Sequence, residues 1–431
     1  MTTTASDFAG EYRYPVYIVS NDVVPDMGMT VSAPGLRSRG LAAGLRHHGF
    51  QVTEIVPEGS VVDRWRGDVP PPRPPGVVTL AGGELAGFLT TRAPAVVIII
   101  NSNQVAALPD SEDLPLIVDL FAPRILEVAC QSDRYPQAQI AAMRTRDIQA
   151  MTRGDSFIVN GAKKLPFYLA WLLQTDRNPL SVQMDVVPMP MTGNFDETPG
   201  MGHSPTPDRR DPPDRPVRAV SAGYLQGWSR PGPWYQMVSE AVARHGAEFH
   251  VAVVPRSDIG DGLNGSTDDL NHFDHPSVTT HGGMLYEDYR RFMRAKDVAI
   301  DLFAYTLERP YAMVTRTVGA IASGLPVIHV PWTETAAYIE EYDAGWLVDP
   351  GDTARLEHVL AEALGDHDLR RHKADNARRL WRAVFDPIVA TAPLVEQVRT
   401  CCATLHERFG PGPNEASPLA GVSGVSGDDG R

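Results

Sequence analysis

The sequence predicts an α/β protein made of two units, each with a parallel β-sheet covered by helices. Short apolar runs rich in β-branched residues, such as residues 95–101 (AVVIIIN), alternate with segments of helical spacing. The alternation stops at residues 188–216, which are crowded with Pro, Gly and Asp, and then starts again. A length of 431 residues suits two or three domains at about 150 residues each.

The first unit, residues 1–188, contains the most strongly apolar strand pattern. Its predicted strands are residues 15–20, 51–56, 77–80, 95–101, 116–120 and 157–160. Its predicted helices are residues 36–48, 137–152 and 164–174. Leu36, Leu41 and Leu45 recur at helical spacing, and the first helix ends at Gly49. Residues 189–216 are predicted to connect this unit to the next.

The second unit, residues 217–380, repeats the alternation. Its predicted strands are residues 217–222, 249–255, 278–281, 298–303, 326–330 and 345–348. Its predicted helices are residues 234–245, 287–295, 315–323, 333–342, 353–364 and 370–382. A last helix within residues 381–409 is expected to return to the first unit. The Gly- and Ser-rich tail, residues 410–431, is expected to be disordered.

Composition and charge exclude several classes of protein. With 39 basic and 53 acidic residues the net charge is −14, the opposite sign from a general nucleic-acid binder. No apolar run approaches the about 20 residues that cross a bilayer, and no secretory signal is visible. Three cysteines do not form a disulfide framework. We therefore expect a cytoplasmic protein without nucleic-acid partners or an integral membrane segment.

We expect the two sheets to face each other across a cleft. In open α/β sheets ligands bind at the carboxyl ends of the strands, so the cleft between two such edges is the expected binding site. The first strand leads into a loop with Gly28 and Met29, and then into a helix. The glycine permits close backbone approach, and the N–H groups of the helix start can bind an anion. An ordinary connecting loop is the alternative interpretation.

A second candidate anion site lies at the predicted helix 315–323. Thr315 is predicted to be its N-cap, and Arg316 lies in its first turn. Free N–H groups, the helix dipole and a fixed guanidinium together suit a diphosphate. Arg230, in the turn after the strand that ends at Gly223, can supply a second cation. The alternative is a packed αβ unit with exposed arginines.

Three segments together resemble the GT-B glycosyltransferases, specifically the retaining, nucleotide-sugar-dependent group with an E-x7-E-type motif. They are HGGMLYEDYRRFMRAKDVAIDLF (281–303), TRTVGAIASGLPVI (315–328) and TETAAYIEEYDAGWLVDPGD (333–352). VDLFAPRILE (118–127) resembles a branch that acts in antibiotic, glycolipid and surface-polysaccharide assembly. The resemblance covers roughly residues 15–400 and implies a GT-B fold, with two Rossmann-like domains facing across a cleft.

The resemblance also implies roles for the matching positions. Arg316 and Arg230 match cations that bind the donor diphosphate, and Gly28 matches a glycine loop near the phosphates. The other residues expected to bind the donor are Met29, Gly223, His281, Gly282, Gly283, Val314 and Thr315, with the nucleobase expected at 281–283.

One motif position departs from the family pattern. The second Glu, which usually binds the donor ribose, falls at Gly319, and the first falls near Tyr311. We expect Glu308 to serve the donor from a shifted loop, or Glu334 to hold a donor hydroxyl.

The first unit is expected to hold the acceptor. Asp119, at the end of the apolar run LIVD, is predicted to lie near the acceptor or the sugar, with a cap or loop turn as the alternative. The loop 63–76 carries side chains that can clasp a sugar-like or aromatic acceptor, or are simply solvated, namely Arg64, Trp65 and Arg66.

The resemblance implies a retaining glycosyltransferase, and the two arginines with the helix dipole favour a reaction that needs neither a metal ion nor a cofactor. Arg230 and Arg316 would stabilise the leaving diphosphate, while Asp119 would face the acceptor. UDP, GDP and dTDP remain open as the donor nucleotide, and the acceptor is a small molecule, a glycan or a lipid-linked species. A catalytically silent nucleotide-sugar-binding protein, a nucleotide-sugar epimerase or phosphorylase, and a homodimer also remain open.

Overall fold

The computed structural model describes residues 14–65, 67, 69–131, 136–194, 215–226, 229–255 and 267–410. Most of the predicted connecting segment, the tail beyond Gly410 and Arg66 lie outside the described residues. The described residues form thirteen β-strands and fourteen α-helices arranged around two sheets. No helix among them is long and apolar enough to span a bilayer.

The first sheet contains seven parallel strands. They are β1 (Val16–Val19), β2 (Val52–Pro57), β3 (Val77–Leu80), β4 (Val96–Ile100), β5 (Leu116–Asp119), β6 (Ser156–Val159) and β7 (Met184–Val186). Their order is β3-β2-β1-β4-β5-β6-β7. The helices of this unit are α1 (Ala33–His47), α2 (Glu58–Val62), α3 (Leu85–Thr90), α4 (Arg124–Ala129), α5 (Gln137–Arg153) and α6 (Lys164–Leu172).

The second sheet contains six parallel strands. They are β8 (Arg218–Leu225), β9 (Glu248–Pro255), β10 (Val278–Thr280), β11 (Val298–Asp301), β12 (Val327–His329) and β13 (Gly345–Leu347). Their order is β10-β9-β8-β11-β12-β13. Its helices are α7 (Trp234–Arg244), α8 (Tyr286–Arg294), α9 (Thr315–Ile321), α10 (Glu334–Tyr342), α11 (Thr353–Gly365) and α12 (His367–Leu380).

Both sheets reverse their strand order beside the first strand of the unit. Strands β2 and β4 flank β1, and strands β9 and β11 flank β8. Such a switch point opens a crevice beyond the carboxyl ends of the strands, where α/β proteins bind ligands. The predicted α/β fold with two parallel sheets is therefore confirmed, and each sheet offers one crevice.

The chain passes between the two units at residues 187–194 and again after α12. Trp381 lies in a π-helical turn (Trp381–Phe385), and its Nε1 donates a hydrogen bond to the carbonyl of Met191 at 2.7 Å. The predicted last helix is split into α13 (Pro387–Ala390) and α14 (Ala392–Phe409). From α14, Gln397 donates to the carbonyl of Phe157 in β6 at 2.9 Å. The end of the chain is thus bound to the first sheet.

Candidate active site

A cavity of about 250 Å³ lies at the carboxyl ends of both sheets. The first unit lines it with residues at the start of α1 and after β4, β5 and β6, among them Val31, Asn101, Phe121, Arg124, Asn160 and Lys164. The second unit lines it with residues after β8, β10 and β11, among them Gly223, Tyr224, Gly283, Glu308, Arg309 and Arg316. The two crevices therefore form one site.

Arg316 is a cation that the second unit holds in place at this cavity. Its Nε donates to Asp301 Oδ1 at 2.7 Å, and its Nη1 donates to the carbonyl of Tyr224 at 3.0 Å. Its guanidinium also lies over the ring of Phe303, 5.5 Å from the centroid. These contacts use two of the five guanidinium N–H groups, and the other three donate to none of the residues that the structure describes, which leaves them for a ligand.

Gly223 lets the backbone of β8 pass close to Arg316. Its φ is +127°, a conformation that residues with a side chain rarely adopt. A Cβ atom here would lie 2.9 Å from Cδ of Arg316. The glycine thus provides both the backbone conformation and the space that the arginine occupies.

Asp301, at the end of β11, holds the guanidinium of Arg316 in place through their ion pair. Burial alone would raise the pKa of Asp301, but the charges of Arg316 and His329 and the hydroxyl of Thr317 bring it below its ordinary value. Burial lowers the pKa of His329 to about 4, although the charge of Asp301 opposes this effect. At neutral pH the carboxylate is therefore ionised and the imidazole is neutral. Thr333 lies 2.9 Å from His329 Nε2 and fixes the ring.

Helix α9 differs from its prediction at its N-terminus. Its N-cap is Val314, and Thr315 is the first helical residue and makes no capping hydrogen bond. Thr315 therefore does not cap the helix, because its side chain lies one position too late in the chain. Both residues line the cavity. With only seven residues in the helix, the positive charge at this point comes mainly from Arg316.

Gly319 lies in α9 and lines the cavity without obstructing it. A Cβ atom at this position would meet only the hydroxyl of Tyr289, at 3.7 Å. The motif position that carries a carboxylate in the resembled family is thus open space beside a tyrosine. Tyr289 and Tyr286 of α8 both line this part of the cavity.

A group of buried charges lies where the two units meet. Glu308 is 2% exposed and forms an ion pair with Arg309. Burial raises the pKa of Glu308, and the charge of Arg309 opposes the rise. Lys164, from the start of α6, donates to the carbonyl of Tyr311 across the cleft. Burial lowers the pKa of Lys164 to about 8, although the charges of Glu334 and Glu308 oppose the shift.

Seven of the predicted site residues line the cavity, and six lie outside it. Those that line it are Gly223, Gly282, Gly283, Glu308, Val314, Thr315 and Arg316. Those outside it are Gly28, Met29, Asp119, Arg230, His281 and Glu334.

Asp119, predicted to lie near the acceptor or the sugar, is not among the residues that line the cavity. Its side chain and that of Arg37 are both fully buried, and the two form a bidentate ion pair at 2.8 and 3.1 Å. Arg37 Nη1 also donates to the carbonyls of Val187 and Pro188 at 2.8 and 2.7 Å. The ion pair between Arg37 and Asp119 therefore holds α1 and residues 187–188 against β5. The side-chain oxygens of Asp119 accept from Arg37, whereas the alternative interpretation expected them at a helix cap or loop turn.

Gly28 and Met29 lie just outside the cavity. Gly28 has a φ of +71°, and a Cβ atom there would lie 3.2 Å from the ring of Trp65. Met29 is 5% exposed and belongs to a small apolar cluster below the loop. The same loop reaches the cavity only from Thr30 onward. The part of this loop that lines the cavity therefore begins two residues after Gly28, the predicted position.

Arg64 and Trp65 are bound within their own unit. Arg64 Nη2 forms an ion pair with Asp22 Oδ1 at 2.6 Å, and both side chains are largely buried. Trp65 lies against Gly28 and donates from Nε1 to the carbonyl of Val69 at 2.7 Å. These two side chains therefore stabilise the loop that precedes α1, and they do not line the cavity.

Arg230 is exposed and lies outside the cavity. Its Nη2 donates to the carbonyl of Gln131 in the first unit at 3.2 Å. Ser229, next to it, forms an isolated bridge with Gln226. The structure therefore does not bring Arg230 to the cavity that Arg316 lines, and its diphosphate role stays a prediction.

His281 and Glu334 flank the cavity from the second unit. His281 Nε2 lies 3.1 Å from Nδ1 of His250, while the two glycines that follow His281 line the cavity. Glu334 is 6% exposed, and both of its oxygens accept from the backbone N–H of Lys163 at 3.3 Å. Glu334 thus joins the two units across the cleft.

Sequence reasoning missed the polar residues that the first unit brings to the cavity. Asn160 ends the predicted strand FIVN, so its place at the carboxyl edge could have been inferred from the strand alone. Lys164 gave no such signal, because its partner Tyr311 lies 147 residues away. In the described part of the chain, no three His, Cys, Asp or Glu side chains are grouped to hold a metal ion.

Two Rossmann-like sheets that face one cleft define the GT-B fold class, and this chain has that fold. Sucrose-phosphate synthase from Thermosynechococcus elongatus is similar with a TM-score of 0.63 and 16% identity, over 91% of this chain and 100% of that one. Trehalose-6-phosphate synthase from Burkholderia multivorans is similar with a TM-score of 0.58 and 13% identity, over 94% and 100%.

A third similar structure is Anabaena HepE in complex with UDP-glucose. Its TM-score is 0.54 and its identity 13%, over 90% of this chain and 99% of that one. No protein-family model matches the sequence, and no curated protein is significantly similar to it. At identities of 13–16% these similarities establish the fold.

Proposed function

We propose that this chain is a glycosyltransferase that moves a sugar from a nucleoside-diphosphate donor to an acceptor hydroxyl in the cleft. The observation that carries the proposal is Arg316, which lines a cavity shared by both sheets and has three N–H groups for a ligand. A guanidinium with free donors suits the oxygens of a diphosphate. The similarity to HepE with bound UDP-glucose supports a nucleotide sugar as the ligand.

The proposed reaction requires little chemistry from side chains. The bond between the anomeric carbon and the leaving diphosphate breaks, and a bond to the acceptor oxygen forms on the same face of the sugar. The acceptor proton passes to the leaving phosphate oxygen. Arg316 stabilises the charge that develops on that phosphate, as fixed donors do in other transfer reactions. In this proposal neither a metal ion nor a separate general base takes part.

The acceptor is proposed to bind on the first unit. Residues after β5 and β6 line that side of the cavity, among them Phe121, Pro123 and Asn160. A small molecule, a glycan and a lipid-linked species each carry a suitable hydroxyl.

A catalytically silent nucleotide-sugar-binding protein is the second candidate function. The observation that favours it is Gly319, which leaves the expected carboxylate position open. The two candidates predict the same binding of nucleotide but differ in turnover.

The donor site is tested by calorimetric titration of UDP, GDP and dTDP. We expect one of them to bind the wild-type protein, and Arg316→Ala to weaken that binding about ten- to a hundredfold, because charge-assisted hydrogen bonds contribute about 1.5–3 kcal/mol. Arg316→Lys keeps the charge and should lose less. Arg355→Ala is the matched control, because Arg355 is exposed and lies outside the cavity. Equal binding by Arg316→Ala, or no binding by the wild type, would contradict the proposal.

A further inference from the structure

Asn160 marks a place on the first unit where a ligand can donate a hydrogen bond. The residue directly follows β6, is 2% exposed and lines the cavity. Among the described residues, no group donates a hydrogen bond to its Oδ1. Buried polar atoms in folded proteins nearly always have a partner. The oxygen is therefore free to accept a hydrogen bond from a ligand that carries a donor at this point.

Lys164, four residues after Asn160 in the sequence, supplies a hydrogen-bond donor through its ammonium group. It begins α6, is 1% exposed and lines the same cavity. One of its three N–H groups donates to the carbonyl of Tyr311. A ligand that donates to Asn160 can therefore also accept from Lys164. Hydroxyl groups do both, whereas phosphate and carboxylate oxygens only accept.

The charges around Asn160 and Lys164 are balanced. Arg124 lies 3.5 Å from Glu127, and Arg309 forms an ion pair with Glu308. Lys164 lies within the electrostatic reach of Glu334, Glu308 and Glu127, all of which stabilise its ammonium form. Each of these three cations already has a carboxylate partner, so an added phosphate beside Asn160 would compete with those carboxylates for them. This balance favours an uncharged ligand.

The remaining wall of the site is apolar. Phe121, after β5, lines the cavity together with Ala122 and Pro123. A sugar ring presents hydroxyl groups at its edge and C–H groups on its face. An amide and an ammonium on one side, with an aromatic ring and a proline on the other, match that pattern.

We propose that the acceptor is an uncharged sugar ring, with one hydroxyl donating to Asn160 Oδ1 and one accepting from Lys164 Nζ. The ring lies against Phe121. This inference rests on the proposed function, because it assigns the acceptor class of the same cleft.

The test is saturation-transfer NMR on the full-length protein with glucose and mannose, and with their 6-phosphates. We expect the uncharged sugars to bind the wild type and the phosphates to bind at least tenfold more weakly. Asn160→Leu should weaken sugar binding at least tenfold, and it should fold because the side-chain oxygen it removes accepts no hydrogen bond from the described residues. Asn160→Asp, which keeps the shape and an acceptor oxygen, should retain more binding than the leucine variant. Asn271→Leu, at an exposed position of the second unit, should behave as wild type.

Three results would overturn this assignment: tighter binding of the 6-phosphates, sugar binding that Asn160→Leu leaves unchanged, or no binding by either uncharged sugar. Nucleoside diphosphates are titrated into the same samples. Nucleotide binding without sugar binding rejects the acceptor class and leaves the proposed function standing. Asn160-dependent sugar binding without nucleotide binding rejects the proposed function and leaves the sugar site standing.

Discussion

At the scale of single residues, two ion pairs at strand ends differ in their exposure to solvent. They are the pair of Arg316 and Asp301 and the pair of Arg37 and Asp119. Arg316 lines the cavity with its side chain 18% exposed, and Asp301 forms an ion pair with it. Arg37 and Asp119 are both 0% exposed. An accessible guanidinium with spare donors can bind a ligand, whereas a sealed pair can only hold the chain together. The sequence places Asp119 at the end of an apolar run and Asp301 inside the predicted strand 298–303, and neither position reveals these surroundings.

Removal of Asp119 should destabilise the protein strongly. Asp119→Ala leaves Arg37 buried without a counter-charge, which costs about 3–5 kcal/mol in comparable pairs. The double variant Arg37→Met/Asp119→Leu should recover most of that loss, because it removes both charges. Urea denaturation measures the free energy of unfolding of each protein. A loss below about 1 kcal/mol in Asp119→Ala would contradict the structural role, since an exposed pair contributes only that much.

His329 should make the protein less stable in mild acid. The unfolded chain takes up a proton near the ordinary histidine pKa of 6.5, whereas the folded protein resists protonation until about pH 4. The unfolded state therefore binds more protons between these values, and the free energy of unfolding falls as the pH drops through this range. Denaturation at several pH values should show a flatter dependence for His329→Gln.

His358 provides the control for this pH dependence. Its side chain is 59% exposed, so His358→Gln should keep the wild-type slope between pH 6.5 and 4. An identical slope in His329→Gln and the wild type would show that the buried imidazole is not responsible.

At the scale of elements, two helical glycines should respond in opposite ways to alanine. Gly319 of α9 has free space at its Cβ position, so Gly319→Ala should raise the free energy of unfolding by about 0.5–1 kcal/mol. A Cβ at Gly44 of α1 would lie 2.1 Å from Thr391 Oγ1 and 2.4 Å from the carbonyl of Pro387. Gly44→Ala should therefore destabilise by about 1–3 kcal/mol or more. Thermal unfolding compares the two, and a stable Gly44→Ala would contradict the close packing of α1 against α13.

Most elements could be predicted because the spacing of their apolar residues and the length of each apolar segment match the strand or helix that forms. The strands of residues 95–101 and 116–120 appear as β4 and β5, and Gly324, with a φ of +71°, ends the turn after α9. Strand β7 was missed because three residues with a central Asp185 carry no strand pattern. The split between α13 and α14 was missed because local sequence does not report how the chain crosses between units.

At the scale of the whole molecule, the site depends on contacts between residues far apart in the chain. Arg37 and Asp119 are 82 residues apart, and Lys164 and Tyr311 are 147 apart. Such pairs have no local pattern, so the sequence placed Asp119 in the site and left Lys164 out. Gly223, Gly282, Gly283 and Arg316 lie at the cavity because strand ends and helix starts converge there in this fold, whereas the predicted Gly28 lies outside it.

The central claim is that this cleft cleaves a nucleoside-diphosphate sugar, and the most direct test is release of the nucleoside diphosphate. Wild-type protein is incubated with UDP-, GDP- and dTDP-sugars and uncharged sugar acceptors, and the free nucleotide is measured. We expect release from one nucleotide class, at least tenfold slower in Arg316→Ala and unchanged in Arg355→Ala. A nucleotide that binds tightly to the wild type but is never released from its sugar would contradict the claim and favour the silent binding protein.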